Sequence, residues 1–322
     1  MMATFQLTIL GINSAFPAHG RHPTAQVLQI GEQLVLIDCG EGTQAQIQKY
    51  NIRKSKIRHI LISHLHGDHI FGLIGLLTSL SLEGRTKNLD IYGPEGLEEI
   101  IRIQLKYNGG DFYYPVRFHI LDMEKNYFIL ENKKFSIQTI PLKHRIPTVG
   151  FLIREKRRPR NIIKEKIAEY NIPYQLIPMI KEGGNFKTQD GKIIANDRIT
   201  TAPPTPRSYA YCSDTRYTES IIPIIKGVDL LYHESTYCED NKKQAVISMH
   251  STAMEAAQIA KKAQVGQLIL GHYSSRYKTT EQFEIEAQSI FSSSIAGIEG
   301  GTYKVPRLRS KNGLAQPPYI SD

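Results

Sequence analysis

The sequence predicts a layered α/β fold carrying one inserted segment. Three observations point there. Short apolar runs recur through both halves of the chain, stretches with helical spacing fall between them, and one basic stretch rich in proline, glycine and amides breaks the rhythm. In order, the predicted strands are "FQLTIL" (5–10), "QLVLID" (33–38), "IRHILIS" (57–63), "LDIYG" (89–93), "FSIQTI" (135–140) and "TVGFLI" (148–153). The second half repeats the style with "SYAYCSD" (208–214), "DLLYHES" (229–235) and "QLILGH" (267–272). Helical spacing marks 43–50, 70–80, 94–106, 251–263 and 280–290. Pro94 suits the first turn of a helix, and Ser251 or Thr252 offers an N-cap to an alanine-rich one.

With 322 residues the chain can bury one large α/β core or two modest domains. We expect a single domain over 1–322, interrupted by an inserted arm over 154–198. Hydrophobic content of 41% and charge of 22% are those of a soluble globular protein. No apolar run approaches the roughly 20 residues that cross a bilayer, and "MMATFQLTIL" lacks the basic start and apolar core of a signal peptide. No membrane partner is expected. Cys39, Cys212 and Cys238 are odd in number, far apart and outside any CxxC pair. That argues against disulfides and a cysteine zinc site, and for a reducing cytoplasm. Net charge is +9, and residues 154–198 hold eleven Lys/Arg against six Asp/Glu. This composition suits a protruding arm for an anionic partner better than a core element.

The densest chemistry lies in His64-Leu65-His66-Gly67-Asp68-His69, three imidazoles and a carboxylate in six positions. On a strand His64 and His66 would share a face. Gly67 permits a sharp turn, which would place Asp68 and His69 before the helix. Neutral imidazoles and carboxylates suit zinc or another borderline divalent ion. Six contiguous residues do not easily wrap four ligands around one tetrahedral ion, so we divide them: His64 and His66 to one ion, Asp68 and His69 to a second. Three predicted strand ends complete the set, with His144 for the first ion, His272 for the second and Asp214 bridging both. Net positive charge then favours an anionic substrate.

HxHxDH with later His, Asp and His resembles the metallo-β-lactamase signature, which implies a four-layer αββα sandwich. The finer motifs are similar to those of the ribonuclease Z family of tRNA 3′-processing endonucleases. They are "LGINSAFPAHGRHPTAQVL" at the start, "LIDCGEGTQ" (36–44), "SHLHGDHIFGLIGLL", "YCSDTRYT" (211–218), "HEST" (233–236), "HST" (250–252) and "GHYSSRY" (271–277), where Tyr273 replaces the common phenylalanine. The basic segment falls where short members insert a tRNA-binding arm. Against their PxKxRN loop pattern this chain has Lys156-Arg157-Arg158-Pro159-Arg160-Asn161: Arg160 and Asn161 fit, Arg158 replaces lysine, and the leading proline is absent.

The resemblance implies an endoribonuclease that removes the 3′ trailer of precursor tRNA by metal-assisted phosphodiester hydrolysis, as a homodimer. It implies two Zn²⁺ per subunit, with Mn²⁺ or Fe²⁺ acceptable to the same ligands. It also implies that Asp38 supports the ligand shell, that Asp68 handles the attacking water, and that His250, held by Glu234, serves the leaving group. His19, His22, His59, His119 and His233 are read as structural or exposed. The rival readings are a small-ester or thioester hydrolase on the same scaffold, and a non-catalytic tRNA-binding protein. The second predicts missing metal ligands, yet all seven residue types are present.

Overall fold

The computed structural model describes residues 4–108 and 110–307. The first strands in chain order are β1 (Phe5–Gly11), β2 (Ala25–Ile30), β3 (Gln33–Ile37), β4 (Ile57–Leu61), β5 (Leu89–Gly93) and β6 (Val116–Ile120). They are followed by β7 (Phe128–Glu131), β8 (Phe135–Pro141) and β9 (Val149–Glu155). Four two-residue strands come next: β10 (Asn161–Ile162), β11 (Phe186–Lys187), β12 (Ile193–Ile194) and β13 (Thr200–Thr201). The last are β14 (Ser208–Cys212), β15 (Leu230–Glu234), β16 (Gln267–Gly271), β17 (Ser294–Ala296) and β18 (Thr302–Lys304).

Two seven-stranded sheets result, ordered β18-β1-β2-β3-β4-β5-β6 and β17-β16-β15-β14-β9-β8-β7. Strands β3 to β6 run parallel, as do β14 to β17. Parallel strands direct their C-terminal ends to one edge, where binding loops collect. In β3, Leu34 and Leu36 join an apolar cluster with Ile47, Leu73, Leu76 and Ile101 from the flanking helices. Val35 and Ile37, equally buried, point to the opposite face. The sheets meet through polar ties as well as apolar ones: Tyr209 Oη donates to Gln26 Oε1 at 2.5 Å and Tyr211 Oη to Asp38 Oδ2 at 2.6 Å. Helix Ala253–Lys262 covers β15 and β16 with Ala256, Ala257, Ile259 and Ala260. It starts on a capping box between Thr252 and Glu255.

Two compact units are distinguished. One takes in the described residues up to Glu131, Ile137–Ile153 and those from Arg207 onward; the other is Asn132–Ser136 with Arg154–Pro206. The second unit pairs β10 with β13 and β11 with β12. The segment expected as an inserted arm also buries a small cluster of its own. Ile172, Ile180, Phe186, Ile194 and Ile199 form a buried cluster within it, and Asn196 Nδ2 donates to the carbonyls of Ile180 and Gly184.

Other boundaries also move. The strand expected over 57–63 stops at Leu61, and His66 is the N-cap of a four-residue helix, Gly67–Ile70. Asp68 and His69 therefore lie in a helical turn, and strand alternation does not bring His64 and His66 together. The helix expected from Pro94 begins at Leu97, because Gly96 takes a left-handed conformation (φ 87°) just before it. Strands β2, β6, β7, β10 to β13, β17 and β18 match no apolar run expected as a strand.

Candidate metal centre

Every element that carries a site residue ends at the same edge. Asp38 follows β3, the His64–His69 segment follows β4, His144 follows β8, Asp214 follows β14, and His272 follows β16. Asp38, Asp214 and His272 each adopt positive φ (56°, 60° and 60°), a conformation that costs non-glycine residues on the order of 1 kcal/mol. The strand end is bent in each case so that a side chain faces the edge.

The seven expected ligand residues converge in two groups. In the first, His64 Nε2 lies 2.9 Å from His66 Nδ1 and 3.5 Å from Asp214 Oδ2, while His144 Nε2 lies 3.3 Å from His66 Nδ1 and 3.6 Å from Asp214 Oδ2. In the second, His69 Nε2 and His272 Nε2 lie 3.2 and 3.1 Å from Asp214 Oδ1, and 3.6 and 3.5 Å from Asp68 Oδ2. Asp214 offers one oxygen to each group. Donors bonded at about 2.05 Å to a tetrahedral zinc ion stand about 3.3 Å apart, so groups with these spacings could hold a metal ion.

Hydrogen-bond accounting supports the fit. Ser63 Oγ donates its one proton to Asp38 Oδ2 (2.9 Å), so it must accept from His64 Nδ1 at 3.0 Å. Thr236 Oγ1 donates to Glu234 Oε2 (2.6 Å) and so accepts from His272 Nδ1 at 3.0 Å. His69 Nδ1 donates to Asp38 Oδ2 (2.8 Å), and His144 Nδ1 to the Met249 carbonyl (3.1 Å). Four rings are thereby held with Nε2 turned toward the centre, each tied at its far nitrogen as metal-bound imidazoles are. The Nε2 atoms of His69 and His272 are buried without a hydrogen bond, although Asp214 Oδ1 is close; their N–H directions do not aim at it. Buried ring nitrogens without a hydrogen bond, gathered beside carboxylate oxygens, have the chemistry of cation ligands.

The charges agree. Burial holds His64, His66 and His144 below the ordinary imidazole range, in the neutral form a ligand needs. Burial opposes ionisation of Asp68 and Asp214, yet neighbouring imidazoles (His69 and His272 for Asp68; His272, His69 and His64 for Asp214) hold both well below the usual carboxylate range. Burial likewise opposes charge on His69, but Asp214, Asp68 and Asp38 raise it strongly, so the carboxylates draw positive charge to this spot.

Asp38 is wholly buried and takes four hydrogen bonds, from Ser63 N and Oγ, Tyr211 Oη and His69 Nδ1. Glu234 takes five: Thr215 N and His250 Nδ1 on Oε1, and Thr236 N, Thr236 Oγ1 and Ser251 N on Oε2. Burial disfavours charge on His250, but Glu234 at 2.8 Å raises it to about 9. His250 has a ligand atom within 4.8 Å of those of Asp214 and His272. Of the other histidines, His233 Nδ1 donates to Glu234 O, His119 pairs with Asp90, and His22 with Glu299.

Sequence reasoning missed Ser63, Tyr211, Thr236 and the Met249 carbonyl, and also the Ala15 amide, which donates to Asp68 Oδ2 at 2.8 Å. One available signal was overlooked. The PxKxRN pattern laid on 156–161 also meets its proline and arginine in Pro17-Ala18-His19-Gly20-Arg21-His22, with histidines at its lysine and asparagine positions, in the loop that carries Ala15. There Arg21 ties the loop through Asn13 Oδ1 (3.0 Å) and the Tyr277 and Lys278 carbonyls. Of the expected RNA-binding residues in the second unit, Arg157, Arg158 and Asn161 are exposed. Arg158 lies 3.7 Å from Glu155, and Arg160 Nε donates to Thr200 Oγ1 at 2.6 Å.

Comparison with known proteins accords with this geometry. A family model described as anti-Pycsar protein Apyc1 matches residues 5–157. Ribonuclease Z of Porphyromonas gingivalis is 46% identical over 298 residues, 92% of this chain and 98% of its own. That of Cytophaga hutchinsonii is 45% identical over 302 residues, 94% of this chain and 96% of its own. Among solved structures, the short form of human tRNase Z superposes with a TM-score of 0.66 at 26% identity, covering 94% of this chain and all of that one. A Bacillus subtilis metallo-β-lactamase fold protein gives 0.66 at 20% identity, which bears on the fold alone. With two seven-stranded sheets flanked by helices and relatives of this identity over nearly its whole length, the chain belongs to the ribonuclease Z family.

Proposed function

We propose that this protein is a metal-dependent endoribonuclease that removes the 3′ trailer of precursor tRNA. The observation that carries the reading is the convergence of seven His and Asp side chains around Asp214, in a chain 46% identical to a ribonuclease Z. His64, His66, His144 and Asp214 would hold one ion, and Asp68, His69, His272 and Asp214 the other. Bound there, two divalent ions supply Lewis acidity to the phosphoryl oxygens and lower the pKa of water. The nitrogen and oxygen donors fit Zn²⁺ best among common ions, with Mn²⁺ and Fe²⁺ as acceptable substitutes.

The chain's own residues supply the rest. Asp68, fixed by the Ala15 amide, orients the attacking water and accepts its proton. His250, kept charged by Glu234, has Nε2 available to give a proton to the departing ribose oxygen. Asp38 keeps His69 in the Nδ1–H tautomer.

The basic second unit serves as the tRNA-binding arm in this reading. Lys156, Arg157, Arg158, Arg160 and Asn161 contribute phosphate contacts that give affinity without reading sequence, as an enzyme for many tRNAs requires. We further propose a homodimer, the default symmetry of soluble homo-oligomers, and a cytoplasmic location, which three free buried cysteines suit. Among the described residues no helix is long and apolar enough to cross a membrane.

The test is incubation with a precursor tRNA bearing a 3′ trailer, with and without a chelator. Metal-dependent cleavage near the discriminator base is expected, and its absence would defeat the assignment. Deleting residues 156–196 should weaken precursor cleavage while sparing turnover of bis(p-nitrophenyl) phosphate. Equal loss of both would place the segment in the catalytic framework instead.

A further inference from the structure

Two phenylalanines beside Asp68 present faces that the core does not use. Phe71 is 70% exposed and Phe16 is 55% exposed. Isolated exposed apolar side chains are ordinary on protein surfaces, but these two sit on fixed backbone at the candidate centre. The Phe71 ring lies directly on Gly67: a Cβ there would stand 2.1 Å from its Cε2 and 2.4 Å from its Cζ. Gly67 joins His66 to Asp68, so the ring rests on the backbone between two of the seven converging residues. Glycine is required at that position to make room for it.

Phe16 sits in the opening loop, next to the residue that binds the same carboxylate. Its neighbour Ala15, at φ 61°, donates its amide to Asp68 Oδ2 at 2.8 Å. The backbone of Phe16 is tied in turn, its N–H donating to Ser14 O at 2.7 Å and its carbonyl accepting from Asn13 Nδ2 at 2.8 Å. The Phe71 ring thus lies against the residue before Asp68, the Phe16 backbone follows the residue that binds Asp68, and neither side chain belongs to the apolar cluster beneath the helices.

A phosphodiester bound at Asp68 brings a nucleotide on each side of the cut, and unpaired RNA bases are held most readily on aromatic faces. We propose that Phe71 and Phe16 are stacking platforms, each holding one of the two nucleobases that flank the scissile phosphate. The inference rests on the RNA-cleaving reading above and adds what sets the register of the cut. Because every base has an aromatic face, such platforms tolerate any sequence, as a processor of many tRNAs needs.

The test uses the full-length metal-loaded protein and three precursor tRNAs: one intact, one abasic immediately 5′ of the cut, one abasic immediately 3′ of it. Stacking of about 1–3 kcal/mol per base predicts a loss of roughly 5- to 150-fold in kcat/KM for Phe71→Ala on the intact substrate. Phe71→Leu should lose as much, since it keeps apolar volume without a ring face, and Phe71→Tyr should retain wild-type activity. The loss should vanish on one abasic substrate for Phe71→Ala and on the other for Phe16→Ala, with metal content and assembly mass unchanged. Equal losses on all three substrates, full activity in Phe71→Leu, or a changed assembly mass would overturn the proposal. Wild-type protein that fails to cut the intact precursor would instead remove the functional reading on which it stands.

Discussion

Asp38→Asn is the perturbation whose consequences follow most directly from the structure. Asparagine tolerates the left-handed backbone at this position (φ 56°), so the chain path survives. The hydrogen bonds do not. Oδ2 accepts from Ser63 Oγ (2.9 Å), Tyr211 Oη (2.6 Å) and His69 Nδ1 (2.8 Å), while Oδ1 accepts from Ser63 N (2.8 Å). If the amide oxygen takes the Oδ2 position, the NH₂ group opposes the Ser63 N–H, a buried donor against a donor. That costs about 1–3 kcal/mol. If the amide is flipped, its NH₂ faces His69 Nδ1 and the ring proton must move to Nε2, the nitrogen proposed to bind metal. Losing such an outer partner typically lowers metal affinity about 10- to 100-fold. Thermal unfolding of chelator-treated protein, together with zinc competition against a chromogenic chelator, measures both routes. The variant should show a lower Tm, weaker zinc binding at one of two sites, or both. Wild-type Tm combined with wild-type affinity at both sites would refute the tautomer argument.

Other substitutions separate the roles. His144→Ala should release one equivalent of metal and Asp214→Ala both, by elemental analysis after dialysis; equal losses would contradict a shared carboxylate. His250→Ala should retain metal but lose about 10²- to 10⁴-fold in kcat on precursor tRNA, and loss of metal in parallel would make it a ligand instead. Burial raises the Cys39 and Cys238 thiols to about 12 and lifts Cys212 as well, so native protein should not react with Ellman's reagent at pH 8. Three thiols should appear in denaturant, and rapid labelling of the native form would place a thiolate at the surface.

What the sequence revealed, and what it hid, divides along physical lines. His64, His66, Asp68 and His69 were legible because four such groups in six positions make little sense except around ions. His144, Asp214 and His272 were legible because each ends a recognisable apolar run. Ser63, Thr236 and Tyr211 were hidden, since a neutral hydroxyl looks the same whether it faces water or locks an imidazole. The Ala15 amide and Met249 carbonyl were beyond reach, because backbone groups carry no signature. Edge strands β6 and β7 went unseen for a related reason: partly exposed strands such as "VRFHI" dilute the apolar pattern. In the second unit, Pro173, Pro178, Gly183 and Gly184 interrupt the apolar residues, so its small buried cluster left no apolar run to read. The boundary at Leu97 was set by backbone conformation at Gly96, which outweighed the preference of Pro94 for a first turn.

The claim that Asp214 divides its oxygens between two ions is open to one direct measurement. Anomalous diffraction at the zinc edge from crystals of zinc-reconstituted protein should show two peaks. One should lie among His64, His66, His144 and Asp214, the other among Asp68, His69, His272 and Asp214. A single peak, or a second peak away from Asp214, would contradict the account.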